Sequence, residues 1–202
     1  SSILEAFKDY QQDLPEEERE DFTNAIDVMI RRSSNLAAFV KRFADVVYMP
    51  QPQKTSIVLQ LMVSNCIQLF STEFKNRNIT VELNGFEKET LVELDAHLIE
   101  QALTNILKNA YEAIGENGTI SVSISSSVNG AKLTVRDSAG SLPANNESKL
   151  FKPFYTSKPN GQGVGLMLVK EILAKHGFKY SLTSEPEKWT EFSIDIDKHP
   201  NE

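Results

Sequence analysis

The chain is poor in the residues that would staple it together or carry it into lipid. Among 202 residues there is one cysteine, Cys66, which excludes an internal disulfide framework and a zinc cluster built on cysteines. A lone thiol suits a reducing compartment. No run of about 18 uninterrupted apolar residues occurs. The longest candidate, 57–70, is broken by Gln60, Ser64, Asn65 and Gln68. No basic segment leads into an apolar run at the start, so no secretory signal is read there, and no repeat at solenoid or propeller periods is visible. Positive charge is in deficit: 21 Lys and Arg stand against 28 Asp and Glu, for a formal charge of −7. Such a balance disfavours nucleic acid and anionic lipid as partners. Histidine is scarce, with only His97, His176 and His199.

What is present is ordinary globular composition, 40% apolar and 24% charged, which excludes wholesale disorder and collagen-like or low-complexity chains. The length accommodates a small module followed by a domain of about 150 residues. The chain opens at Ser1, and Ser-Ile-Leu-Glu-Ala-Phe reads as mid-helix, which predicts a fragment of something longer. Ile3, Leu4 and Phe7 give a short first helix its apolar side. Pro15 followed by Glu16, Glu17 and Glu18 starts a second, because proline fits the first helical position and acids favour the positive end of the helix dipole. Phe22, Ile26, Met29, Leu36, Val40, Phe43 and Val47 then recur at steps of four and three, with Ser33 filling the one gap. That is a heptad seam, on a helix of about 50 Å if it runs to Tyr48. Such a stripe either faces an ordinary core or, in a two-helix hairpin, dimerises into a four-helix bundle. Pro50 and Pro52 around Gln51 close the helix and mark a linker, so the expected domains are 1–50 and 51–202.

Beyond the linker the pattern changes. A helix is expected over 57–76, strands over 79–83 and 90–94, and a helix capped by Asp95 running to about Gly115. Two strands, 119–128 and 132–137, are joined by a turn at Asn129-Gly130. A helix follows to Lys175, stopped by Gly177, then strands over 179–184 and 190–197. Helices on one face of an antiparallel or mixed sheet make this an α+β sandwich.

Four segments carry possible chemistry. On the helix containing Asn105, Asn109 and Glu112, two poor helix formers sit four residues apart on one face. That face is either merely solvated or a set of oxygen ligands for Mg²⁺ against a nucleotide's phosphates. Asp137, at a strand end before Ser-Ala-Gly-Ser-Leu-Pro, is either part of a plain turn or an acceptor for an exocyclic amino group such as that of adenine. The long connection from Ser138 to Gln162 holds Phe151, Pro153, Phe154 and Tyr155, too apolar for a free linker, and reads as a lid. Gly161-Gln-Gly163-Val-Gly165-Leu leads straight into an apolar helix. Glycines there let the backbone approach phosphate oxygens at a helix N-terminus, and Lys158 adds a point charge. No strand precedes this turn and no Gly-Lys-Ser/Thr occurs, so neither the dinucleotide fingerprint nor the P-loop is met.

Taken in order, these segments resemble the ATP-binding domain of sensor histidine kinases, in the wider group shared with gyrase, Hsp90-type chaperones and the MutL repair proteins. Asn105-Ile-Leu-Lys-Asn109-Ala resembles the N-box, 137–143 the first Gly-rich box, 150–158 the phenylalanine box and 161–166 the second Gly-rich box; the resemblance covers roughly 55–197. The helices before it resemble the family's dimerisation and phosphotransfer hairpin. The resemblance implies a helical hairpin followed by an α/β sandwich of the histidine kinase/gyrase/Hsp90-type ATP-binding fold. It implies Mg-ATP, with Asn109 on the metal, Asn105 supporting it and Asp137 on the adenine amino group. Lys158 and the amides of Gly163, Val164 and Gly165 would hold phosphates, Ala139, Gly161 and Leu166 would line the nucleotide, and Thr190 matches a threonine near the adenine. It further implies γ-phosphoryl transfer to a histidine and then to a response regulator receiver domain. A homodimer through the hairpin and a cytoplasmic location, with any membrane anchor elsewhere in the full-length protein, also follow. None of the three histidines lies on the hairpin, so this fragment is expected to lack the phosphoacceptor and to carry no catalytic residue of its own. Where the family's first Gly-rich box usually has glycines, Ala139 and Ser141 stand here. Each adds a Cβ expected to weaken nucleotide binding, and the alternative reading is a degenerate, non-catalytic nucleotide-binding and dimerisation scaffold.

Overall fold

A computed structural model describes residues 15–128, 130–141, 150–151 and 163–197. The chain divides into two compact units, Ser1–Asp45 and Val46–Glu202. The expected short first helix lies outside the described residues, as do the phenylalanine box beyond Phe151, Lys158, Gly161 and His199.

The helix α1, Glu16–Val47, carries almost the whole described part of the first unit. The Pro15 carbonyl accepts from the amides of Glu18 and Arg19 at 3.0 and 3.2 Å, so α1 starts where the Pro-Glu-Glu-Glu signal puts it. Its 32 residues give a rod of about 48 Å. The heptad positions Met29, Leu36, Val40, Phe43 and Val47 are exposed, while Phe22 and Ile26 are half-buried. No described helix is long and apolar enough to cross a membrane.

The second unit opens with strand β1, Thr55–Val58, followed by helices α2, Leu59–Leu69, and α3, Ser71–Asn76. A single helix over 57–76 is the expectation, and the structure corrects it. Thr55, Ile57 and Val58 are β-branched, and they find antiparallel partners in Leu94, Val92 and Leu91 of strand β3, Leu91–Leu94. The helix is then interrupted at Phe70 (φ −103°, ψ 7°). Its ring packs 5.5 Å from Tyr111 and 5.9 Å from Phe74.

Strand β2, Ile79–Asn84, helix α4, Ala96–Ile114, strands β4, Gly118–Ser127, and β5, Gly130–Asp137, helix α5, Gly165–His176, and strands β6, Lys179–Glu185, and β7, Trp189–Asp197, complete the domain. The sheet order is β2-β4-β5-β7-β6. The β2–β4 pair is parallel and the others antiparallel, so the sheet is mixed. The hairpin register puts Gly130 opposite Ser127, so Gly130 is the first residue of β5 rather than part of the turn. The helices cover one face of the sheet: α4 lies on β4 and β5, while α2 and α5 pack against α4. Alternation follows the pleat. Ala131, Leu133 and Val135 point inward on β5 while Lys132 and Arg136 are exposed. Leu103, Leu107, Leu133, Ile172 and Ile194 are fully buried between the layers, each contributing about 1.5–3 kcal/mol through removal of apolar surface from water.

Candidate functional site

Helix α4 is fixed at both ends. Asp95 caps its start, with Oδ1 accepting from the Leu98 amide at 3.1 Å, and Gly115 ends it with its amide on the Tyr111 carbonyl at 3.0 Å. Its apolar stripe, including Ile99, Leu103, Ile106 and Ala110, is core. The stripe beside it holds Asn105, Asn109 and Glu112, all half-buried. The Asn105 side-chain amide donates to the Gln101 carbonyl at 2.9 Å, one turn back. That bond fixes the amide plane and leaves Asn105 Oδ1 facing the first residue of α5, since a Cβ on Gly165 would lie 3.3 Å from that oxygen.

The start of α5 is held by apolar anchors and bared in between. Val164 is 2% exposed, and Leu166 is half-buried against the core. Gly163 adopts φ +65°, a conformation open to glycine at no steric cost. The N-cap residue Val164 makes no side-chain cap bond and no acid stands in the first turn, so among the described residues no carboxylate in that turn offsets the positive end of the helix dipole.

Asp137 continues the inward-facing series Ala131, Leu133, Val135 and is 7% exposed. An acid at a core-facing position at a strand end directs its carboxylate between the sheet and the helices. Across the β5–β7 ladder its partner is Thr190, itself 8% exposed and 3.2 Å from the Ser184 hydroxyl. The Asp137 Oδ1 accepts from the Ala139 amide at 2.9 Å, closing a tight turn. Ser138 then ties this turn to β4 by exchanging hydrogen bonds with the Thr119 backbone at 3.0 and 3.1 Å.

A Cβ at 139 or 141 could weaken nucleotide binding either because the backbone there needs φ > 0 or because it must lie close to the nucleotide, and the first of these does not apply at Ala139. Among 137–141 the one left-handed residue is Gly140, at φ +56°. Its carbonyl accepts from the Glu187 amide at 3.1 Å, and a Cβ there would come within 2.6 Å of three backbone atoms of the β6–β7 turn. Ala139 needs no such freedom. Gly140 is the site-shaping residue absent from the sequence expectation. Its signal is a single glycine three residues after a strand-terminal acid.

The structure therefore brings together Asn105 with Gly165, and Asp137 with Thr190 and Ala139. Ser138, beside Asp137, lies next to Ile114 at the far end of α4, since a Cβ on Gly118 would meet Ile114 and the Ser138 hydroxyl at 2.6 and 2.7 Å. Asn105 and Ile114 are about 14 Å apart along the helix, with Asn109 between them.

The chain matches the family model described as "Histidine kinase-, DNA gyrase B-, and HSP90-like ATPase" over residues 94–200. It is 28% identical over 167 residues to sensor histidine kinase ZraS of Escherichia coli (strain K12), which covers 83% of this chain and 36% of ZraS. It is 34% identical over 140 residues to the C4-dicarboxylate transport sensor protein DctB of Rhizobium meliloti, covering 68% of this chain and 22% of DctB. The chain thus spans about a third or less of these relatives. Among solved structures, the catalytic domain of histidine kinase ThkA aligns with TM-score 0.68 and 29% identity over 73% of this chain and 97% of that one. The same kinase in complex with response regulator protein TrrA aligns with TM-score 0.74 and 25% identity over 98% of this chain and 57% of that one. A family model that covers more than half of the chain, on a sheet and helix arrangement of the same kind, makes this protein a member of the histidine kinase-, DNA gyrase B- and HSP90-like ATPase family.

Proposed function

We propose that this chain is the ATP-binding catalytic part of a sensor histidine kinase. The observation that carries the reading is the inward-facing Asp137–Thr190 pair at one end of α4 and the close approach of Asn105 to Gly165 nearer its middle. A nucleotide laid along that helix would meet a carboxylate acceptor at its adenine and bared helix amides at its phosphates. Asn109, between the two, would hold Mg²⁺ with Asn105 in support. Among the described residues no group of three or more His, Cys, Asp or Glu could hold a metal, so the ion would rely on one or two side-chain oxygens and the phosphates, the usual arrangement for Mg²⁺. When bound, Mg²⁺ supplies neutralisation of the phosphate charge. The protein's share is positioning: Gly163, Val164, Gly165 and Leu166 would present backbone to phosphates, Ala139 would back the adenine turn, and Lys158 and Gly161 would act from the segment outside the described residues.

In the whole protein the γ-phosphoryl would pass to a histidine and on to a response regulator receiver domain. The exposed seam of α1, Met29, Leu36, Val40, Phe43 and Val47, supports a homodimer through the helical hairpin, and the same hairpin would select the regulator. The location is cytoplasmic. Residues 1–96 hold no histidine, so this chain is expected to bind ATP without phosphorylating itself.

Titration with a fluorescent ATP analogue and Mg²⁺ tests the reading. Saturable binding in the wild type and its loss in Asn109→Ala supports it. No saturable binding in the wild type overturns it and favours the scaffold alternative. Radiolabel incorporated into this chain from γ-labelled ATP would refute the missing acceptor.

A further inference from the structure

His176 is a titratable side chain that the nucleotide reading does not use, and it is 1% exposed. Its Nδ1 lies 2.8 Å from the Ile172 carbonyl, one turn back on α5, and its Nε2 accepts from the Asp95 amide at 3.1 Å. A carbonyl only accepts and an amide N–H only donates, so the ring is the neutral Nδ1–H tautomer. Around it the contacts close on themselves. Lys54 Nζ donates to the His176 carbonyl at 3.0 Å. The Asp95 carboxylate takes the Leu98 amide on one oxygen and the Gln53 amide on the other, at 3.1 and 2.8 Å.

This joint sits at one end of an antiparallel helix pair. His176, the last residue of α5, meets Asp95 at the start of α4; Gly165, the first residue of α5, approaches Asn105. The two meeting points are about 15 Å apart along α4. In a close-packed pair, releasing one end shifts the other.

We propose that His176 is a proton-sensitive positioning residue for the nucleotide site: its neutral form joins the end of α5 to the start of α4, and uptake of a proton at Nε2 releases that joint and weakens nucleotide binding. The inference rests on the nucleotide-binding reading above. A protonated Nε2–H would face the Asp95 N–H, donor against donor. Among the described residues the charged groups acting on the ring are Lys54 from the linker and Asp95 from the turn before α4; His97, in the first turn of α4, acts on Asp95. Ile172 contributes a carbonyl, and Phe178 an uncharged ring with its centroid 5.2 Å away. Burial opposes the imidazolium most strongly. The Ile172 carbonyl favours it, Lys54 opposes it and Asp95 favours it, and the net effect holds the ring below the usual imidazole range.

The test compares the pH dependence of nucleotide affinity in wild type and His176→Gln, whose side-chain oxygen can accept from the Asp95 amide and takes up no proton. The nucleotide's own titration is common to both. The expected result is that the wild-type Kd for the fluorescent ATP analogue rises between pH 7.5 and 5.5 by about two- to fivefold more than that of the variant, one unit of difference in pKa between bound and free protein setting a ceiling of tenfold. Equal pH profiles with binding intact overturn the inference and leave the nucleotide reading standing. Absence of binding at pH 7.5 overturns both. Should His176→Gln not fold, Lys54→Met serves: removing the ammonium moves the wild-type midpoint to higher pH, and an unmoved midpoint refutes the proposal. Imidazole ¹⁵N shifts in the wild type must show the Nδ1–H form at neutral pH; an Nε2–H form refutes it.

Discussion

Replacing Gly140 with alanine places a methyl where the protein has backbone. An ideal Cβ at Gly140 lies 2.5 Å from both the Glu185 carbonyl oxygen and the Lys188 amide nitrogen, and 2.6 Å from the Glu187 amide nitrogen. None of these is a side-chain end that can swing away. The turn that carries them is closed by the Lys188 amide on the Glu185 carbonyl at 3.0 Å and pinned to Gly140 itself by the Glu187 amide at 3.1 Å. A left-handed φ costs an L-residue about 1–2 kcal/mol, and overpacking about 1–3 kcal/mol. The narrower unfolded ensemble of alanine returns about 0.5 kcal/mol. The net expectation for Gly140→Ala is a loss of about 2–4 kcal/mol, against a total stability of about 5–15 kcal/mol for a domain. Urea unfolding followed by circular dichroism measures it, with an unchanged m-value showing that the surface exposed on unfolding is the same and the midpoint shift is a change in stability. The counterpart is Ala139→Gly, which restores a glycine of the family's usual pattern. Because φ at Ala139 is not left-handed, that change should destabilise by about 0.5 kcal/mol. A Gly140→Ala protein as stable as wild type, or an Ala139→Gly protein that gains stability, would show that the turn is built differently.

Two further outcomes follow from the same structure. Asp95→Ala removes the cap of α4 and should cost about 1 kcal/mol at pH 7. Partial burial pushes this carboxyl up, but the Gln53 and Leu98 amides, with His176 and His97 nearby, outweigh it and hold it below its ordinary 3.8. A depressed carboxyl contributes stability that is present above the unfolded value and lost as pH falls through the folded one. The gap between wild type and variant in melting temperature should therefore narrow below about pH 4, and a gap that widens there contradicts the assignment. Burial, and then Glu100, push the Cys66 thiol up to about 11. Since the thiolate is the nucleophile, iodoacetamide at pH 8 should label the native protein far more slowly than the urea-unfolded one by mass spectrometry; equal rates contradict the buried placement.

Much of this domain is legible from local pattern because its signals agree with its packing. Asp95 caps a helix with a continuous apolar stripe, and Gly177 ends α5 in the left-handed conformation, so both helices can be bounded from residues alone. Strand β5 alternates from Ala131 on because one face is buried and the other meets solvent, and β7 follows the same period except at Ser193, which is buried within hydrogen-bonding distance of Thr134. The start of the helix expected over 57–76 is misread because Ile57 and Val58 suit a helix stripe as well as a strand, and only the distant partner β3 decides between them. At the site, Asn105 and Asn109 stand out as two poor helix formers four residues apart on the polar stripe of α4, and Asp137 as an acid in line with the apolar series of β5. Gly140 and His176 do not. The first is defined by a turn some 45 residues later, and the second by a backbone amide 81 residues earlier, distances over which no periodic pattern carries information.

The strand order has a consequence for how the domain comes into being. β7 lies between β5 and β6, and its inward residues Phe192, Ile194 and Ile196 are buried. Until that strand has been synthesised, β5 and the preceding pieces display an open flank of unpaired amides and carbonyls, and β6 has nothing to lie against. Thr190, which faces Asp137, arrives only then. During translation the ribosome would thus release a nascent sheet with a gap in its middle, and a protease or chaperone would meet that gap before any nucleotide could.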